Sequence, residues 1–290
     1  MKKKLLILLL IPLIVCLTGC KKDSETTTMT AYTSVYPIEY ILESLYGNKA
    51  AIYGIYPDGV DYNSYKLTNK QLYDYSKGDL FVYNGTFEKE KNYAVKMINK
   101  NKKIKVIDAS LGMSYSNNTA ETWLNPANYL MMASNIKAGL VEYIGEHYSA
   151  KEIKKNYEKL KLKLSQLDAQ LKTITSSSDV APVIIVSNSA FKFLEKYGFS
   201  VISLQEDENL TDKILSDAKK LIANKTVSYI FLKDNEEESQ TIKNLKANYP
   251  SLSTLRLNSL STLSAVDRRE KKDYISIMEE NIDTLKLEVN

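Results

Sequence analysis

Hydrophobic and polar positions along the first half of this chain follow two periods, one typical of strands and one typical of helices. Residues 29–35, 50–56, 80–83 and 103–108 are rich in β-branched and aromatic side chains, which is typical of strands. In the segments between them, apolar residues recur at the spacing of one helical face. Strands that alternate with helices predict a parallel sheet with helices on both faces.

The second half of the chain repeats this rhythm after a polar break at residues 176–179. The strand-like segments are residues 183–186, 201–204, 227–232 and 254–257, and the helix-like segments are residues 189–196, 211–223, 236–247 and 272–287. We therefore predict a second βα lobe, so that the fold class is α/β with two parallel sheets.

Two longer helices are predicted between these halves, over residues 125–146 and 150–175. The second carries one apolar stripe, formed by Ile153, Tyr157, Leu160, Leu164, Leu167, Leu171 and Ile174. Taken alone, the stripe is compatible with a coiled coil. Its place between two βα units favours a rigid spine that joins two lobes.

The first twenty residues have the pattern of a secretion signal. Three lysines, at positions 2–4, precede an apolar run over residues 5–17, and Leu17-Thr18-Gly19-Cys20 follows the pattern of a bacterial lipobox. We predict a signal peptide over residues 1–19, a lipidated Cys20 and a polar tether over residues 20–28. The alternative is an uncleaved membrane anchor. Either arrangement places the fold on the extracytoplasmic face of the cell membrane.

The signal segment changes the meaning of the composition. Three of the four units of the formal net charge of +4 come from the lysines at positions 2–4, which leaves +1 on the mature chain. This small charge predicts no nucleic-acid partner. Both cysteines, Cys16 and Cys20, lie in the signal region, and His147 is the one histidine. Because the fold has no cysteine and we expect no histidine to pair with a serine, we expect no enzymatic activity.

Four polar motifs follow or precede the predicted strands and helices. They are Pro57-Asp58-Gly59-Val60-Asp61-Tyr62-Asn63-Ser64-Tyr65, Thr119-Ala120-Glu121-Thr122-Trp123-Leu124-Asn125-Pro126, Ser187-Asn188-Ser189-Ala190-Phe191 with Tyr197-Gly198, and Leu257-Asn258-Ser259-Leu260. Together they resemble the zinc and manganese receptor lipoproteins of bacterial ABC transporters, and the resemblance covers nearly all of the mature chain.

The resemblance implies a cluster A-I solute-binding fold. The predicted N-terminal lobe covers residues 29–148, the spine residues 149–178 and the C-terminal lobe residues 179–290. It also implies a monomer that carries a metal ion or small solute to an ABC permease. Members of this family were often described as adhesins, so a surface adhesion or structural lipoprotein is the alternative function.

The metal-ligand positions of the family correspond here to Asn63, Glu121, Asn188 and Asn258. The usual ligands at these positions are histidine or acidic residues. Because ligands bind at the carboxyl ends of parallel strands, we expect the four side chains to line one cleft, two from each lobe. His147, at the end of a helix, is not expected to be a ligand.

One carboxylate and three amides are a poor zinc site, because zinc prefers imidazole, thiolate and carboxylate ligands. Three uses of the cleft follow from this donor set. Oxygen ligands suit weak binding of a hard ion such as manganese or calcium. Asparagine amides around one carboxylate also suit a small polar or cationic solute. The third possibility is a cleft that binds nothing.

Overall fold

A computed structural model describes residues 29–113, 121–145, 148–176, 179–207 and 209–289. The predicted signal peptide, Cys20, the tether and His147 lie outside these ranges. No helix within them is both long and apolar enough to cross a membrane.

The first lobe is a parallel four-stranded sheet with the strand order β2-β1-β3-β4. Its strands are β1 (Met29–Thr33), β2 (Ala50–Gly54), β3 (Leu80–Tyr83) and β4 (Lys105–Asp108). Its helices are α1 (Tyr36–Tyr46), α2 (Asn69–Tyr75), α3 (Glu88–Lys100) and α4 (Pro126–Ile144). A parallel sheet is therefore formed where the alternating periods predict one.

Local sequence explains where these helices begin. Pro37 lies in the first turn of α1, where its missing N–H is not needed. Thr68 and Gln71 form a reciprocal capping box at the start of α2. The amide oxygen of Asn125 accepts hydrogen bonds from the N–H groups of Ala127 and Asn128 at the start of α4.

A 29-residue helix, α5 (Tyr148–Ser176), joins the lobes and is roughly 43 Å long at 1.5 Å per residue. It packs against α1, α4 and α9 (Tyr274–Val289). All seven residues of the predicted stripe are buried, whereas Leu162 on another face is 62% exposed. The stripe belongs to one continuous hydrophobic core that includes residues from both lobes. The helix is therefore a packed spine.

The second lobe repeats the topology of the first, with the strand order β6-β5-β7-β8 and parallel pairing throughout. Its strands are β5 (Val183–Val186), β6 (Ser200–Ser203), β7 (Tyr229–Lys233) and β8 (Ser253–Leu257). Its remaining helices are α6 (Asp212–Ala223), α7 (Gln240–Asn248) and α8 (Ala265–Arg269). The described structure is thus α/β, with two βα lobes joined by a spine.

Two local predictions in this lobe need correction. The helix predicted over residues 189–196 is present as a 3-10 helix, Ser189–Tyr197, but α7 begins at Gln240 instead of residue 236, and α8 was not predicted. The late start of α7 has a clear cause. The Ser239 hydroxyl accepts the N–H of Ile242 as the N-cap, while the side chains of Glu236 and Glu238 bind other segments. These contacts hold residues 236–239 in a loop.

Candidate functional site

A polar cavity of about 230 Å³ lies between the lobes. Its lining comes from the loop after β2 in the first lobe and from the loops after β5, β7 and β8 in the second. The lining residues are Val60, Asp61, Tyr62, Asn63, Asn188, Lys233, Asp234, Asn235, Glu236, Ser259 and Ser261. All four loops leave the carboxyl ends of parallel strands, where ligands bind in open sheets.

The cavity lies at the topological switch point of the second sheet, where the order of the parallel strands reverses. Strands β5 and β7 are neighbours there, although β6 separates them in sequence. Ser187 and Asn188 follow β5, and both donate hydrogen bonds to the Glu236 carboxylate, at 2.9 and 2.6 Å. The Ser187 hydroxyl also accepts the Lys233 N–H at 2.9 Å. Glu236 therefore joins the two loops that form this side of the crevice.

Glu121 and Lys233 form an ion pair between the lobes. Glu121 directly precedes a 3-10 turn, Thr122–Leu124, and its Oε1 lies 2.6 Å from Lys233 Nζ. The two side chains are only 7% and 11% exposed, respectively. Burial lowers the pKa of Lys233, but the carboxylates of Glu121, Glu236 and Asp234 together outweigh burial, so that the pKa is raised overall. Lys233 is therefore a buried ammonium group at neutral pH.

Tyr62 lines the cavity with a buried hydroxyl. Among the buried side-chain polar atoms of the described residues, this oxygen is the one without a well-formed hydrogen bond, although the Glu121 carboxylate lies close to it. Burial, followed by the charges of Glu121 and Glu90, raises its pKa well above the ordinary value for tyrosine. The hydroxyl therefore stays protonated and can donate a hydrogen bond to a bound molecule.

The loop that carries Asn63 is held by a second lysine. Lys89 Nζ donates to the carbonyl oxygens of Tyr62, Asn63 and Tyr65, with distances of 3.2 Å to Asn63 and 2.8 Å to Tyr65. The Asn63 N–H donates to the Asp61 carboxylate at 3.0 Å. These bonds fix the backbone and leave Asn63 exposed at the rim of the cavity.

Asn258 is not among the residues that line the cavity. Its amide oxygen accepts the N–H of Leu260 at 2.7 Å, and its backbone is held by the Asn281 side chain. Leu260 has a φ of 61°, a left-handed conformation that is costly for a side chain of this type. Asn258 thus stabilises a strained turn, which places Ser259 and Ser261 in the cavity.

The structure therefore brings together part of the predicted set. Asn63 and Asn188 line the cavity, Glu121 lies against it through Lys233, and Asn258 shapes a neighbouring turn. Asn188 is also engaged, since its oxygen accepts the N–H of Ala190 while its nitrogen donates to Glu236. Of the four predicted positions, the cavity lining includes Asn63 and Asn188 but not Glu121 or Asn258.

Sequence reasoning missed Lys233, Asp234 and Glu236. Residues 236–247 were predicted only as a helix, but Glu236 is half-buried and bound to Ser187 and Asn188. A signal for these residues was present, because they directly follow a predicted strand. The rule that places ligands at the carboxyl ends of strands would have selected them.

The donor set does not fit a tetrahedral zinc site. No group of three or more His, Cys, Asp or Glu side chains in the described ranges is arranged to hold a metal ion. Glu121, the carboxylate among the predicted ligands, is bound to the Lys233 ammonium group instead. Zinc needs about four converging nitrogen, sulfur or carboxylate ligands, and the three carboxylates of the cavity lining do not converge into such a group.

A buried carboxylate, Glu90, lies on α3 in the first lobe. It accepts hydrogen bonds from the Asn84 N–H and the Tyr56 hydroxyl. Burial raises its pKa from 4.5 to about 7. Between these values the folded protein binds more protons than the unfolded chain does, so stability falls as the pH rises through this window.

We expect Glu90→Gln to remove this pH-dependent contribution to the free energy of unfolding. The free energy of unfolding of the wild type, relative to the variant, should fall between pH 4.5 and about 7 by up to about 1.4 kcal/mol per pH unit and then level off. Urea denaturation of both proteins across this range measures the difference. Parallel curves would show that Glu90 titrates alike in the folded and unfolded states.

Comparison with known proteins agrees with this architecture. The chain is 27% identical over 201 residues to a candidate metal-binding protein of Chlamydia trachomatis, which covers 68% of this chain and 71% of that protein. It is 24% identical over 288 residues to the high-affinity zinc uptake system protein ZnuA of Bacillus subtilis, covering 91% and 88%.

The crystal structure of the metal-dependent lipoprotein YcdH of Bacillus subtilis has the same fold, with a TM-score of 0.75 at 23% identity. The superposition covers 89% of this chain and 98% of that one. The family described as zinc-uptake complex component A, periplasmic, matches residues 32–287. Since this match includes both lobes and the spine, the chain belongs to that family.

Proposed function

We propose that this protein is the lipid-anchored extracytoplasmic receptor of an ABC importer and that it captures a small polar cation between its lobes. Family membership supports a receptor that works with a permease. The predicted lipidation of Cys20 supports the anchor. The cavity supports the site of capture, because it lies between the lobes at the carboxyl ends of the strands.

The observation that carries the proposal is the cavity between the lobes, which is lined with three carboxylates and with the poorly partnered hydroxyl of Tyr62. Buried polar groups that lack well-formed hydrogen bonds are rare in folded proteins and call for a ligand or water. The three carboxylates are those of Asp61, Asp234 and Glu236, beyond the Glu121 carboxylate that Lys233 neutralises. The excess of negative charge favours a cation with hydrogen-bonding groups.

The size of the cavity also bears on the cargo. A volume of about 230 Å³ is many times the roughly 10–15 Å³ that is needed to hold one water molecule. The lining presents amides, hydroxyls and carboxylates, with the short apolar side chain of Val60. These properties fit a hydrophilic molecule of several heavy atoms or a hydrated ion better than a bare metal ion.

The test is thermal denaturation of the metal-stripped chain with zinc, manganese, calcium, amino acids and polyamines. A bound cargo at 100 times its Kd should stabilise the protein by about 2.7 kcal/mol. Asp234→Asn should weaken binding at least about tenfold, or 1.4 kcal/mol, by removing one cavity charge. The asparagine oxygen can still accept the Ser259 N–H that Asp234 accepts at 2.7 Å.

Asp217→Asn is the matched control, because Asp217 lies on α6 outside this cavity. It should bind the cargo as the wild type does. The receptor proposal fails if no solute in the panel stabilises the wild type, or if Asp217→Asn and Asp234→Asn have equal effects on binding.

A further inference from the structure

The ammonium group of Lys233 is bound to the Glu121 carboxylate, which the family resemblance assigns as a metal ligand. We propose that Lys233 is the specificity-determining residue of the cleft: as a built-in cation bound to Glu121, it excludes divalent metal ions. This inference deepens the proposed function and rests on the cavity between the lobes being the cargo site. It starts from the 2.6 Å contact between Lys233 Nζ and Glu121 Oε1, both buried.

The backbone of Lys233 is held in place at the end of a central strand. Lys233 is the last residue of β7, which pairs with both β5 and β8. Its N–H donates to the Ser187 hydroxyl at 2.9 Å, and its carbonyl oxygen accepts the Arg256 guanidinium at 3.3 Å. The side chain therefore starts from a rigid point and reaches across the lobe boundary to Glu121.

A divalent ion cannot share Glu121 with this lysine. An ammonium group has three donors and no lone pair, so it cannot act as a metal ligand. A dication beside it would be repelled across a poorly screened, buried distance. Displacement of the lysine side chain would leave a buried ammonium without its partner, which is strongly unfavourable.

A monovalent organic cation meets a smaller obstacle. It carries half the charge of a metal dication and needs no inner set of anionic ligands. Asp61, Asp234 and Glu236 can accept its hydrogen bonds while Glu121 remains bound to Lys233. The ion pair thus discriminates between two cargo classes that would otherwise both be attracted by an acidic cleft.

The test is calorimetric titration of manganese and zinc into metal-stripped wild type and Lys233→Met. The methionine side chain keeps the length of lysine without its charge. We expect the wild type to bind neither metal with a Kd below about 1 µM. The variant should bind manganese at least about tenfold more tightly than the wild type does. Lys233→Met/Glu121→Gln should lose the gain, and Lys105→Met, which breaks the surface pair with Glu142, should show none.

Wild-type metal binding tighter than about 1 µM, or an unchanged affinity in folded Lys233→Met, would overturn the inference. Circular dichroism checks folding of each variant. Should Lys233→Met not fold, Lys233→Gln replaces it in the same titration, and tight metal binding by the wild type contradicts the exclusion in either case. Tight zinc binding by the wild type would leave the receptor proposal standing. If no solute in the panel binds, the receptor proposal fails, but the exclusion of metal ions by Lys233 still stands.

Discussion

Replacing Glu121 with alanine is expected to lower the free energy of unfolding by about 3–5 kcal/mol, because the change leaves a buried ammonium without its partner. Lys233 is only 11% exposed and cannot easily turn its charge to water. Asp234 and Glu236 are the carboxylates whose charges also act on it. Urea denaturation followed by circular dichroism measures the loss.

Two controls distinguish the cost of leaving a buried charge unpaired from the cost of losing an ion pair. Glu142→Ala breaks the surface pair with Lys105, where Glu142 is 72% exposed, and should cost less than about 1 kcal/mol. Glu121→Gln/Lys233→Met removes both charges and should recover most of the stability, because neutral replacements of a buried pair are often well tolerated. A Glu121→Ala loss as small as that of Glu142→Ala would contradict a buried, desolvated pair.

Trp123→Ala is expected to cost about 3–5 kcal/mol, the usual range for removing a large buried aromatic side chain. Trp123 is fully buried, and its indole N–H donates to the Ser259 carbonyl oxygen at 2.7 Å. The Trp123 carbonyl oxygen accepts the Tyr274 hydroxyl at 2.6 Å. The residue therefore joins the first lobe to the loop that lines the cavity and to α9.

Trp123→Phe isolates the hydrogen bond from the packing. It keeps an aromatic ring but leaves the Ser259 carbonyl oxygen without this donor, which should cost about 1–3 kcal/mol. Tyr53→Ala is the exposed aromatic control, since Tyr53 is 53% exposed, and it should change stability far less. Thermal or urea denaturation compares the variants. A similar loss for Trp123→Ala and Tyr53→Ala would mean that the lobe junction contributes little.

Much of the architecture was predictable because it depends on periodicity. The stripe from Ile153 to Ile174 predicted the spine, and all its members are buried. The alternating strands and helices predicted two parallel sheets, and both are present. Boundaries were weaker, as at residues 236–239, where side-chain contacts to distant segments override the local preference for a helix.

The site was less predictable because its chemistry depends on contacts between distant residues. Nothing local shows that Lys233 pairs with Glu121, which is 112 positions away in sequence. Asn258 fits the family pattern, yet its side chain supports the left-handed backbone of Leu260 instead of the cavity. Family motifs located the loops, but the hydrogen bonds of each side chain decide which of them face a ligand.

The position of α9 has a consequence for the order in which the chain can fold. The Tyr274 ring stacks on Tyr129 at 3.9 Å, and the Tyr274 hydroxyl binds the Trp123 carbonyl oxygen, 151 residues earlier. The amino-terminal half therefore lacks part of its own packing until this late segment has been synthesised. A nascent chain that does not yet include residue 274 is expected to remain loosely packed. Once this residue is present, the two halves should fold together cooperatively.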